Sequence, residues 1–201
     1  MARNSYIQTI SAIQCVTLDE AKIHLRVSQS DDDNYITSLI IAAQQNVENY
    51  CNIMFFRTTV VQRGDSWGDI SSLLISPIKS SADIALVSIK YYDADNVQIT
   101  ANLADFIFDK YSQPARIGMA PDFSLPSLAG RIDAVEATYS VGTTLASKVP
   151  LALKQAVLIF IGQWYENRQE AVVGRSVGVV PMAAQYLMNP YRIQTLGIDV
   201  C

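Results

Sequence analysis

The spacing of apolar residues changes twice along this chain. It opens on a helical period: Leu18, Ala21 and Leu25 recur three or four residues apart. Thr17-Leu18-Asp19-Glu20 forms a capping box, in which the Thr hydroxyl accepts the N–H of Glu20 and the Glu carboxylate reaches back to the N–H of Thr17. This predicts a short helix to about Val27. Ser28-Gln29-Ser30 breaks the pattern, and Asp31-Asp32-Asp33 opens a second helix. Ile36, Leu39, Ile40, Ala43, Val47 and Tyr50 form its apolar stripe. Two antiparallel helices with a short connection follow from this spacing.

From about Phe55 to Val141 the pattern shortens. Thr58–Val61, Leu73–Ile75 and Leu86–Tyr92 are β-prone runs, and Asp93-Ala94-Asp95-Asn96 reads as a hairpin turn. Val135, Ala137, Tyr139 and Val141 alternate with Glu136, Thr138 and Ser140, which predicts a strand with one wet face. Pro114, Pro121 and Pro126 predict a loop over 112–130.

Helical spacing returns at Val149-Pro150, with Pro in the first turn, and runs to about Ala171. Apolar side chains surround the middle of this segment, so it must be buried on several sides. Gly174, Gly178 and Pro181 end it. The expected class is α+β: a small antiparallel bundle of two N-terminal helices and one long C-terminal helix (residues 1–54 and 142–173), an inserted antiparallel β-rich domain (55–141), and an extended C-terminal arm (174–201). The arm has too few apolar residues to fold alone. Ala183 to Met188 can form only a short further helical turn or two, Asn189-Pro190 then predicts an extended or turn conformation, and packing across a neighbouring subunit is the arm's expected gain.

Composition narrows the class of function. The 201 residues are 50% hydrophobic and 17% charged, which suits a packed core and excludes wholesale disorder. Fifteen basic against nineteen acidic side chains give a net charge of -4, which disfavours tight binding of a nucleic-acid backbone. The surplus is uneven, with three basic and six acidic residues in 1–51 but five and three in 148–201. Three cysteines and a single histidine make neither a disulfide framework nor a zinc site. The N-terminus lacks an apolar signal core, and Ala156–Ile161 is far too short to span a bilayer. Folding in a reducing cytosol, away from membranes, is the expectation.

The candidate chemistry is sparse. The Asp31–Asp33 triplet lacks the alternating ligands, central Gly and distal Glu of a calcium loop, and acidic residues at a helix start are explained by capping and the macrodipole. His24 has no nucleophile or metal-ligand spacing around it. Gly174-Arg175-Ser176-Val177-Gly178 lacks the Lys-Ser/Thr that a phosphate loop requires. Eighteen aromatic residues suit core and interface packing better than base stacking, which needs a basic groove. No catalytic, cofactor-binding or metal-binding residue is expected, and no enzyme.

Three segments together resemble the head–tail connector (adaptor) family of long-tailed bacteriophages, in the subfamily with a β-rich insertion. They are Val16–Val27, followed by the Asp triplet and a helix ending at Tyr50-Cys51; Val149-Pro150 with Leu153, Lys154 and Ala156, ending in Trp164–Glu170; and the terminal Leu187-Met188-Asn189-Pro190-Tyr191-Arg192. The resemblance implies a structural protein of the virion, assembled in the host bacterial cytoplasm. Its copies would form a ring, dodecameric in the family, between the portal protein and a stopper or tail-completion protein, with viral DNA passing through the lumen without tight binding. Tyr165, Glu166, Asn167 and Arg168 are the expected contacts across a subunit boundary, and Tyr186, Leu187, Pro190, Tyr191 and Arg192 the anchors of the arm. An ordinary polar helix end is the alternative for the first group. For the whole chain the alternatives are a β-sandwich module binding a carbohydrate-type ligand, and a small hydrolase, for which no nucleophile–base pair is visible.

Overall fold

The computed structural model describes residues 4–9, 11–78, 83–167 and 181–193. It is α+β and divides into a sheet unit, built on Asn52–Thr144 with the N-terminal strand, and a helical unit, Ala12–Cys51 with Leu145–Arg192.

The sheet unit contains β1 (Asn4–Thr9), β2 (Ile53–Met54), β3 (Thr58–Gly64), the short helix α3 (Trp67–Ile70), β4 (Ser76–Pro77), β5 (Ile84–Tyr92), β6 (Gln98–Thr100), β7 (Phe106–Asp109), β8 (Arg116–Met119) and β9 (Val135–Val141). Five strands form one antiparallel sheet in the order β1-β3-β9-β5-β6. β2 and β4 pair in parallel, and β7 and β8 make a separate antiparallel ribbon. Among the described residues there is thus one main sheet, not the two facing sheets of a sandwich.

Alternation on β9 sets the core. Val135, Ala137, Tyr139 and Val141 are buried, and they pack with Val60, Ile89, Ile70, Leu73, Phe106 and Ile117. Gly142 follows with φ +100°, and a Cβ there would lie 2.3 Å from the carbonyl oxygen of Phe56. Only glycine permits that turn. Gly64 is needed for another reason, since its Cβ would meet that of Asp69 at 2.2 Å where α3 crosses β3.

Several sequence expectations are corrected here. Asn4–Thr9 is a strand on β3 rather than part of a bundle, because its apolar and polar residues have no helical stripe to bury. Arg116–Met119 is a strand inside the expected 112–130 loop. Leu73–Ile75 does not enter a ladder. Its N–H groups donate instead to Ala115 O (2.9 Å), to Gln62 Oε1 (3.0 Å) and to Tyr139 Oη (3.2 Å).

Gln62, fully buried on the core face of β3, completes this clamp. Its Nε2 donates to the carbonyls of Asp69 (2.8 Å) and Ser72 (3.0 Å). One amide thus satisfies three backbone groups that strand pairing leaves open.

The helical unit comprises α1 (Leu18–Leu25), α2 (Asp33–Cys51), α4 (Leu151–Glu166) and α5 (Met182–Met188). The capping box at Thr17 is formed in full, with bonds of 2.8 and 3.2 Å, and Arg26 closes α1 in the left-handed region. The apolar stripe of α2 (Ile36, Leu39, Ile40, Ala43, Val47) is buried, as are Leu153, Ala156, Val157, Phe160 and Ile161 of α4.

The described part of the C-terminal arm is not extended. Met182–Met188 is helical, and Asn189–Tyr191 continues as a tight 3-10 turn. Asn189 keeps right-handed helical angles before Pro190 (φ -51°, ψ -41°), because Pro falls in the first turn of the new segment, where no N–H is required. Ala184 and Met188 are fully buried in the chain's own helical unit.

Replacing Gln62 by Leu strands the Leu74 N–H and the Asp69 and Ser72 carbonyls. It should lower unfolding free energy by about 1–3 kcal/mol, read as a reduced urea midpoint at unchanged slope. An unchanged midpoint would show that the amide clamp is dispensable.

Candidate interaction surfaces of the helical unit

The residues predicted to make contacts fall into two clusters. The first is at the C-terminal end of α4. Tyr165 Oη donates to Asp32 Oδ2 at 2.5 Å, its ring lies 6.1 Å from that of Tyr35, and Tyr35 Oη donates to the Trp164 carbonyl at 3.5 Å. Tyr165 therefore ties the end of α4 to the start of α2. Asn167 Nδ2 donates to the Gln163 carbonyl at 2.9 Å and closes its own helix.

Glu166 is different. It is exposed in the last turn of α4, which holds no basic residue, and it makes no ion pair among the described residues. A carboxylate at the negative end of a helix opposes the macrodipole. No described residue offsets this local conflict. Arg168 lies outside the described residues.

The second cluster joins α5 to the end of α2. Tyr50 Oη donates to Asn189 Oδ1 at 3.0 Å, Cys51 Sγ donates to the Met188 carbonyl at 3.7 Å, and the Arg192 guanidinium sits 4.9 Å from the centre of the Tyr50 ring. Arg192 and half-buried Tyr191 and Leu187 thus serve the fold. Tyr186 and Met182, one turn apart and each 72% exposed, form with exposed Pro190 an apolar outer face on α5. No charged residue interrupts Val177–Tyr191, so the sequence signal for this face was the missing charge as much as the aromatic residues. The clusters sit at opposite ends of α2, whose nineteen residues span roughly 28 Å. Sequence order alone did not reveal that separation.

The acidic triplet is used in tertiary contacts that spacing could not reveal. Asp33 pairs with Lys22 at 2.6 Å, and Asp32 takes the Tyr165 hydroxyl. His24 is exposed, and its Nε2 lies 3.4 Å from where a Cβ on Gly162 would be, so Gly162 gives α1 room against α4. Among the described residues no three of His, Cys, Asp and Glu gather where a metal ion could be held. Burial pushes the Cys15 thiol up to about 12 and the Cys51 thiol up to about 11. Neither is a thiolate nucleophile at neutral pH.

A thiol whose folded pKa lies above its usual 9.0 contributes stability below that value and loses it as pH rises through the folded one. Thermal stability should therefore fall progressively from about pH 9 upward. At pH 8, alkylation read by mass spectrometry should leave Cys15 and Cys51 unmodified until the chain unfolds. Rapid modification of either in the folded protein contradicts this burial.

Residues 15–107 match the family model of the phage gp6-like head-tail connector protein. No curated protein matches the chain. Solved structures share the fold over almost the whole length. A chain in the neck of an empty gene transfer agent (GTA) particle, computed with C6 symmetry, has 20% identity and a TM-score of 0.70, with 98% of each chain covered. One from the virion of a native GTA particle has 21% identity and a TM-score of 0.71, covering 96% of this chain and 97% of that one. One from the neck of a native GTA particle, computed with C12 symmetry, has 19% identity and a TM-score of 0.69, covering 96% and 98%. These neighbours are parts of the neck and virion of phage-like particles, and the family is structural rather than enzymatic. Over residues 15–107 this chain is similar to the phage gp6-like head-tail connector family, and over nearly its whole length it shares the fold of these neck and virion chains.

Proposed function

We propose that the protein is a head–tail connector of a phage-like particle, whose copies close into a ring beneath the portal, receive the stopper or tail-completion protein on the other side, and surround the path of the genome. The observation that carries this reading is the family match over residues 15–107. The fold shared with neck chains, in structures computed with C6 and C12 symmetry, supports a cyclic arrangement. A ring repeats one heterologous contact until it closes, so each copy needs two different surfaces.

Two features of the helical unit suit that demand. The outer face of α5 presents Met182, Tyr186 and Pro190 to solvent while its inner face is core. At the other end of α2, Glu166 has no cationic partner among the described residues at a helix terminus that favours one. A partner supplying that cation gains register more than affinity. The bundle with an inserted sheet domain is the frame that we propose holds both surfaces.

Three substitutions test the reading by separating folding from assembly. Met188→Ala opens the core and should cost about 2–5 kcal/mol. Tyr186→Ala should change stability by less than about 0.5 kcal/mol yet reduce incorporation into particles. Glu166→Gln should raise the melting temperature of the isolated chain slightly, by relieving the macrodipole conflict, while weakening assembly. Incorporation is read by quantifying this chain in purified particles from a complemented deletion strain. Full incorporation of both the Tyr186 and Glu166 variants, with infectious particles, overturns the assignment of these surfaces.

A further inference from the structure

The β7–β8 ribbon of the sheet unit sends Phe106 and Ile117 into the core but also carries an exposed tip. β7 and β8 form a two-stranded ribbon whose tip, between Asp109 and Arg116, is braced by one carboxylate. Asp109 Oδ1 accepts the N–H groups of Tyr111 (3.1 Å) and Ser112 (3.2 Å), while Oδ2 accepts the Ser112 hydroxyl and Arg116 Nη2 (2.8 Å). The Ser112 hydroxyl and the Arg116 guanidinium hold this carboxyl well below the usual range, so the brace persists through ordinary pH.

The brace holds Tyr111 79% exposed, with Lys110 Nζ 5.7 Å from its ring centre. Lys110 makes no ion pair among the described residues. An aromatic side chain on a rigid tip is a low-entropy anchor for a protein partner. The ribbon and its flanks carry Asp105, Asp109 and Asp122 against Lys110 and Arg116, so a nucleic-acid backbone is a poor fit.

The chain itself offers a complementary surface. Glu166 is exposed one helical turn beyond Gly162 on the same face of α4, and makes no ion pair among the described residues. Gly162 adjoins His24 of α1, and Ile23, next to it in sequence, is 78% exposed. α1 and α4 thus meet at Gly162 and offer an exposed apolar residue and an exposed carboxylate.

We infer that the β7–β8 tip is one half of the contact between copies: Lys110 and Tyr111 of one copy dock on the α1–α4 edge of the next, with Lys110 meeting Glu166 and Tyr111 packing on Ile23. This inference rests on the ring reading above. It gives Glu166 a cationic partner and makes the contact heterologous, as ring closure requires.

Charge reversal in the full chain, followed by sedimentation velocity over a concentration series, tests it. Lys110→Glu and Glu166→Lys should each weaken self-association about tenfold or more, because each places like charges together. The double reversal should restore it to within about threefold. Tyr111→Ala, far from any core residue, should also weaken association about tenfold with unchanged melting temperature. Wild-type self-association that survives both single reversals, or is not restored by the double one, overturns this contact and leaves the ring standing. A wild-type chain that stays monomeric throughout overturns the ring and the contact together.

Discussion

Helix α4 is the constraint on which the helical unit depends. Its sequence is apolar around much of the circumference, and burying Leu153, Ala156, Val157, Phe160 and Ile161 needs cover on more than one side. α1 and α2 cover part of it, and α5 supplies the rest by turning back with Ala184 and Met188 inward. At about 25 cal/mol per Å2 of apolar surface, leaving one side of such a helix in water would cost several kcal/mol. α5 is therefore part of the core on one face, while Met182 and Tyr186 are exposed on the other.

The sheet unit solves a different problem. Its short strands leave many backbone groups outside the ladders, and buried side chains take them up. Gln62 serves Leu74, Asp69 and Ser72, Tyr139 serves Ile75, and Asp69 accepts the N–H groups of Asp65 and Ser66 at 3.1 and 3.0 Å. Such satisfied polar groups fix one arrangement of the 65–77 segment where apolar packing alone would allow several. The same device, moved to the surface, braces the β7–β8 tip through Asp109.

Local chemistry was legible in the amino-acid order. The Thr17 capping box, the α2 stripe and the alternation of β9 each depend on residues a few positions apart, so spacing alone determined them. The resemblance to connectors rested on the same short-range patterns, and the family match covers the stretch that holds the first two helices and most of the strands. The identities of Tyr165, Glu166 and Tyr186 as outstanding residues were also visible.

What each of those residues does was decided by partners distant in the chain. Tyr165 is spent on Asp32, 133 residues away, and Arg192 on Tyr50. Only the fold reveals that Glu166 pairs with no described cation and that Tyr186 is exposed while Met188 is buried. The N-terminal strand escaped prediction for the same reason, whereas the one or two helical turns expected over Ala183–Met188 are present. Asn4–Thr9 and Met182–Met188 are too short to be stable alone, and their conformation is set by the surface each is packed against. Sequence determined the elements that stabilise themselves through near neighbours. Tertiary structure decided those whose hydrogen bonds and buried faces come from residues far along the chain.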